Sequence, residues 1–300
     1  MPYLLLTAHL FLLLFWTRLW VKPAQEFYFN PFVSGPVRFI DSIIGFLRPA
    51  LMLPDRLTAL VLLLLFWAFQ TIFFARFGGA PDMTFGEIIL KTPIDEPLSW
   101  GMQFAHSGFR TAQFLLQLWT VYFFVRLIAA PNCESRAQEV FTFITNPFSR
   151  MHLLLQPFVL LPLHLALAYA VIRTGAFATV DISLNADTKT VQELFKDGPI
   201  WMQAARTGLL ALISFTSALG SLLFTLVFFL FGGLITMLFR AQLPSMICRE
   251  STDLLMGRFA RNSTAATTGL DLTPLFFIIV LNILAHHLQS VLSRLLLLQL

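Results

Sequence analysis

Long, continuously apolar runs alternate along the chain with short polar or amphipathic stretches. Six runs have the length and composition of membrane spans: Tyr3–Trp20, Leu57–Ala75, Thr111–Val125, Leu153–Ile172, Leu209–Phe239 and Pro274–Leu292. A bilayer core of about 30 Å takes about 20 helical residues to cross. The runs do not alternate apolar with polar, so they predict helices and not a membrane barrel. The fifth run is too long for a plain perpendicular span. Either Gly220, Gly232 and Gly233 bend it, or its first turns lie outside the bilayer. The fourth carries Pro157 and Pro162, which predict an interrupted helix, together with Gln156 and His164.

Between the spans lie two kinds of connection. In 36–51, Arg38, Asp41, Ser42, Gly45 and Arg48 share one helical face, and Phe39, Ile40, Ile43, Ile44 and Leu47 fill the other. Ala137, Val140, Phe141 and Ile144 make a similar stripe after the third span, and Ile247, Leu254, Leu255 and Phe259 a weaker one after the fifth. Helices this short and polar are expected to lie in the membrane interface, apolar stripe toward lipid. The stretches 77–110 and 174–206 read differently, as exposed spacers rich in turn residues. The first is expected to hold at most a short helix near 85–91, and the second a helix over 188–195 capped by Asp187.

The pattern repeats. Arg18, Arg126 and Arg240 each close a span, about 110 residues apart, and Pro23, Pro131 and Pro244 follow each within a few positions. Asn30-Pro31 in the first unit matches Asn146-Pro147 in the second. The fold expected is all-α: a polytopic membrane protein of about six transmembrane helices, arranged as three helix–interfacial helix–helix repeats over 1–76, 111–173 and 207–300.

Composition agrees with lipid as the solvent. The chain is 57% hydrophobic and 12% charged, half the charge of an ordinary soluble domain at about 25%, and its mean hydropathy is +0.76. A net charge of +4, dispersed along the chain, excludes a nucleic-acid-binding block. The partners expected are the bilayer and other membrane proteins. Cys133 and Cys248 lie far apart without metal-ligand spacing and read as packing residues. The N-terminal run lacks a basic lead and reads as a retained helix. Lys and Arg favour the three intra-repeat loops over the two spacers, which puts those loops in the cytoplasm and both termini outside.

Candidate chemistry is sparse. Arg18, Arg126 and Arg240 at span ends, with Arg258 and Arg261, are candidate contacts for anionic lipid or a partner's acids. Thr273-Pro274 fits a helix start, with Asp271 favoured by the helix dipole. His286 and His287 are adjacent and point apart on a helix, which leaves His164 as the midspan histidine. The sequence has no phosphate-binding glycine loop, nucleophile motif, carboxylate pair or midspan acid. The expectation is a protein without enzymatic activity or cofactor.

Gly269-Leu270-Asp271-Leu272-Thr273-Pro274 resembles the Gly-hydrophobic-Asp-hydrophobic-Ser/Thr-Pro motif of the YggT family of small bacterial and plastid membrane proteins. Thr252-Asp253, followed by Arg258 and Arg261, resembles that family's Thr-Asp-Pro and basic run, and Asn30-Pro31 and Asn146-Pro147 resemble the same element with Asn for Asp. The resemblance implies a bacterial cytoplasmic membrane. It also implies a role in membrane organisation or complex assembly, as in the cytochrome-assembly, cell-division and osmotic-stress links of that family, and brings no catalytic residues. The alternatives are an osmotic-stress channel or transporter and a structural subunit of a larger membrane complex.

Overall fold

A computed structural model describes residues 2–21, 28–30, 33–77, 82–92, 98–128, 136–182, 187–257 and 273–298. Nine α-helices are present among them. They are α1 (Pro2–Trp20), α2 (Ser34–Leu51), α3 (Asp55–Phe77), α4 (Trp100–Ile128), α5 (Arg136–Ile144), α6 (Gln156–Thr174), α7 (Ile200–Leu238), α8 (Gln242–Met256) and α9 (Thr273–Leu298). Four short strands accompany them: β1 (Met83–Phe85), β2 (Ile88–Lys91), β3 (Thr179–Ile182) and β4 (Asp187–Thr190). Helix dominates, as the continuous apolar runs require. Five helices are long and apolar enough to cross a membrane: α3, α4, α6 with the 3₁₀ turn Leu153–Leu155 before it, α7 and α9. The first predicted span is helical as α1.

The expectations for the spacers and for α6 are corrected. The spacers are not plain loops. β1 to β4 form one antiparallel meander in sequence order, and β2 of the first spacer pairs with β3 of the second, Ile88 opposite Ile182 and Lys91 opposite Thr179. The short helix near 85–91 is therefore a hairpin, and 187–190 is strand. The reason is period-two burial: Met83, Phe85, Ile88, Leu90, Val180 and Ile182 are all buried, with their neighbours turned outward. The cap in the second spacer belongs to Thr190, not Asp187. The Glu193 amide donates to Thr190 Oγ1 at 3.1 Å and the Thr190 amide to Glu193 Oε2 at 3.0 Å, a reciprocal capping box on the π-helical turn Gln192–Lys196.

Helix α7 runs as one continuous helix of 39 residues, about 58 Å at 1.5 Å per residue. Gly232 and Gly233 admit a neighbour: a Cβ there would lie 3.2 Å from Cys248 Sγ and 3.4 Å from Cys248 Cβ, on α8. Proline does not interrupt α6. Pro157 sits in its first turn, where the missing N–H is not needed, and Pro162 is carried within the helix.

The chain divides into two compact units whose boundaries do not follow the three expected repeats. Unit 1 comprises Met1–Phe69, Tyr122–Leu153 and Leu222–Ile279; unit 2 comprises Gln70–Val121, Leu154–Ser221 and Val280–Leu300. Unit 1 contains α1, α2, α5 and α8, and unit 2 contains the sheet. Within unit 2 the sheet is tied to helices. Gln113 Nε2 donates to the Thr84 carbonyl, the His106 ring packs on Phe177 at 4.7 Å, and Gly86 in the β1–β2 turn lies against Gln289 and Ile213. The first turns of α7 hold the second spacer: Gln203 Nε2 donates to the carbonyls of Lys196 and Gly198, and Arg206 Nη1 to that of Asp197.

Candidate functional site

In unit 1 the short helices turn part of their expected lipid-facing stripes into the protein, while Phe39 of the α2 stripe stays half exposed. Ile40 and Ile44 of α2 pack with Phe15 of α1 and Ala59 of α3. Val37 of α2, with Val33 before it, packs with Phe143 of α5. Helix α5 in turn contacts α8 and α1. Burial of one such aliphatic side chain stabilises by about 1.5–3 kcal/mol. The physical cause is competition: a protein groove removes the stripe from water as well as lipid does, and adds close packing.

One polar face turns inward as well. Arg18, at the end of α1, places Nη2 2.6 Å and Nε 2.7 Å from Asp41 Oδ1 on α2. Tyr28 donates its phenolic O–H to Asp41 Oδ2, and Arg38 Nη2 donates to the Tyr28 carbonyl at 3.0 Å. The hydrogen bond to Asp41, with burial second, holds the Tyr28 phenol above its ordinary pKa. Trp16, two residues before Arg18 on α1, donates Nε1 to the Asn146 carbonyl at 3.1 Å.

The predicted residues thus fall in separate places. Arg18 is in this network. Asn146 is buried, its Nδ2 donating to the Thr142 carbonyl at 2.9 Å, and Pro147 follows it into the 3₁₀ turn Phe148–Arg150. Asn30 is buried in the turn before α2, where its carbonyl accepts from the Ser34 amide at 2.9 Å. Arg126 donates Nη1 to the Met151 carbonyl at 3.1 Å and lies over the Tyr122 ring. Arg240 is exposed in a left-handed conformation, φ 54°, just past α7. Asp253 is exposed on α8, and Thr273-Pro274 opens α9. Pro31, Arg258, Arg261, Gly269 and Asp271 lie outside the described residues.

Unit 2 contains a second polar constellation that sequence reasoning touched only at His164. His164 of α6 is fully buried, as are Thr120 of α4 and Ser214 of α7. Thr120 Oγ1 lies 3.0 Å from His164 Nε2, and Ser214 Oγ lies 2.9 Å from Nδ1. Thr120 spends its own proton on the Leu116 carbonyl at 2.7 Å. Its oxygen then accepts from Nε2–H, and in the neutral imidazole Nδ1 accepts from the Ser214 hydroxyl. Gln117 Nε2 continues it, donating to the Ser214 carbonyl at 3.0 Å and to Ser217 Oγ at 2.5 Å, and Ser221 Oγ reaches Gln117 Oε1 at 3.4 Å. The spacing Ser214, Ser217, Ser221 on one helical face was the available signal.

Among the described residues, no group of three or more His, Cys, Asp or Glu is arranged to hold a metal. No family model, curated protein or solved structure matches the chain.

Proposed function

We propose that this chain is a non-enzymatic, multi-pass membrane protein that organises membrane proteins or assists assembly of a complex, with α2, α5 and α8 as its contact elements. The reading takes the chain as three YggT-like units crossing a bacterial cytoplasmic membrane six times, with both termini outside. The supporting observation is how the short helices use their two faces. Part of their apolar stripes is consumed inside unit 1. What they turn outward carries charge and polar groups, Arg38, Ser42 and Arg48 on α2, Arg136 and Glu139 on α5, Arg249 on α8, interleaved with exposed Phe39 and Phe46 on α2 and Leu243 on α8. A helix that only seats a protein on lipid keeps its stripe for lipid. Outer faces that mix arginines with exposed aromatic side chains, over a packed base, suit a protein partner. Affinity purification after mild solubilisation tests this. A stoichiometric membrane-protein partner is expected, and one lost when Arg38, Arg136 and Arg249 are changed to Glu.

A second reading, a channel or transporter, is favoured by the His164–Thr120–Ser214–Gln117 network, because ionisable side chains within spans mark transport paths. Ion flux through liposomes holding the purified chain alone, abolished by His164→Leu, would decide for it. The assembly reading expects none.

A further inference from the structure

We propose that unit 1 carries a binding site for an anionic phospholipid where α2 turns into α3. The turn is built on a left-handed Met52, φ 52°, whose amide caps the Arg48 carbonyl at 2.9 Å. It leaves an open groove of about 740 Å³ lined by Gly45, Arg48, Pro49, Met52, Leu53 and Pro54. Two features of its rim match the two halves of a phospholipid. The first is charge. Arg48 of the lining is 61% exposed, with Asp55 3.3 Å from its Nη1, and the exposed Arg56 follows Asp55 in the first turn of α3, so two arginines face one acid at this turn. The second is an apolar track that begins where the charge ends. Leu57, Leu60 and Leu64 follow Arg56 on one face of α3, 46%, 37% and 49% exposed. That spacing stacks them along a helix long and apolar enough to cross a membrane. Met52, 90% exposed, and Phe46, 81% exposed, add apolar surface at the level of the rim.

This arrangement sets a cationic mouth at the start of a spanning helix and an apolar stripe about 10 Å long below it, the reach of the upper part of an acyl chain. The phosphate would lie between Arg48 and Arg56, and the acyl chains along Leu57, Leu60 and Leu64. A free anion would use only the mouth, and a protein partner would not need the stripe to continue down a span. The proposal rests on α3 as a membrane span and is independent of the assembly reading, since it concerns the purified chain without a partner.

The test uses the full chain in detergent, titrated with dioleoyl phosphatidylglycerol or dioleoyl phosphatidylcholine and followed by native mass spectrometry. Each basic residue near an anionic lipid contributes about a five-fold preference. Wild type should favour phosphatidylglycerol by roughly ten-fold or more, and Arg48→Gln with Arg56→Gln should erase that preference. Arg48→Lys with Arg56→Lys should keep it, and Arg173→Gln in unit 2 should not alter it. An unchanged preference in the Gln pair overturns the proposal. So does displacement of the lipid by glycerol phosphate, which would mark a soluble-anion site. A dimer that the Gln pair dissolves, without lipid preference, overturns it in favour of a second copy. If the Gln pair does not accumulate, a photoreactive phosphatidylglycerol on wild type decides: adducts are expected within residues 45–64, and adducts only elsewhere refute the site.

Discussion

Arg18 Nη2 and Asp41 Oδ1 lie 2.6 Å apart, joining α1 to α2 with side chains only 13% and 18% exposed. Removing one member strands the other's charge in a poorly solvated place, which costs more than the pair contributes. Asp41→Asn is expected to lower stability by about 2 kcal/mol. Arg18→Met with Asp41→Leu should cost less than the sum of the single changes. Melting in detergent across the four-member cycle measures the coupling, and additive losses would show that the two residues do not interact.

The stripe of α2 makes a directional forecast. Ile44 is 3% exposed against Phe15 and Ala59, so Ile44→Asp buries an unpaired carboxylate and should cost upwards of about 3 kcal/mol. Ser42 is exposed, and Ser42→Asp should stay within about 0.5 kcal/mol. Protein abundance in the membrane fraction and melting temperature report both; equal damage would mean that the stripe does not face the core.

At the α7–α8 contact the glycine and the cysteine should behave as a pair. Gly232→Val drives side-chain atoms into Cys248 Sγ, already 3.2 Å from a hypothetical Cβ, and is expected to cost about 1–3 kcal/mol. Cys248→Ala should return part of that loss. Stability of the double variant below that of Gly232→Val alone would place the strain elsewhere.

The His164 network separates glue from machinery. Hydrogen bonds between spanning helices contribute about 0.6 kcal/mol on average. Thr120→Val should therefore cost about 1 kcal/mol or less and leave partner binding intact. A variant with normal melting but altered ion flux would move the weight to the transport reading.

Sidedness can be read with an impermeant thiol reagent in intact cells, on a background of Cys133→Ser and Cys248→Ala. Thr84→Cys, exposed on β1, should react, and Ser42→Cys, exposed on α2, should not. The reverse pattern would invert the orientation drawn from the Lys and Arg distribution.

Much of the helical framework was legible because a 20-residue apolar run has few alternatives. The amphipathic character of α2 and α5 was also legible, but not what their stripes would meet, since Phe143 lies more than a hundred residues from Val37. The sheet went unseen for a related reason. Its strands are three or four residues long, too short for periodicity to speak, and the deciding pairs are remote ones such as Ile88 with Ile182. Two local signals were present: Gly86-Glu87 between Phe85 and Ile88, as a two-residue hairpin turn, and Thr190-x-x-Glu193 as a capping box. Of the arginines at span ends, position was predictable from the sequence. That Arg18 would spend its charge on Asp41 while Arg240 stays exposed was not, because the partner sits on another helix.

The pairing of β2 with β3 has a consequence for biogenesis. The two strands are separated by nearly ninety residues that include α4, α5 and α6. At a translation rate of about 5–20 residues per second, the hairpin of β1 and β2 waits roughly 5–20 s after its own synthesis for its third strand. A lone hairpin is marginal in water, and for that interval the edge of β2 from Ile88 to Lys91 lacks its strand partner. A ribosome stalled before Ile182 would leave that edge open to pairing with other chains.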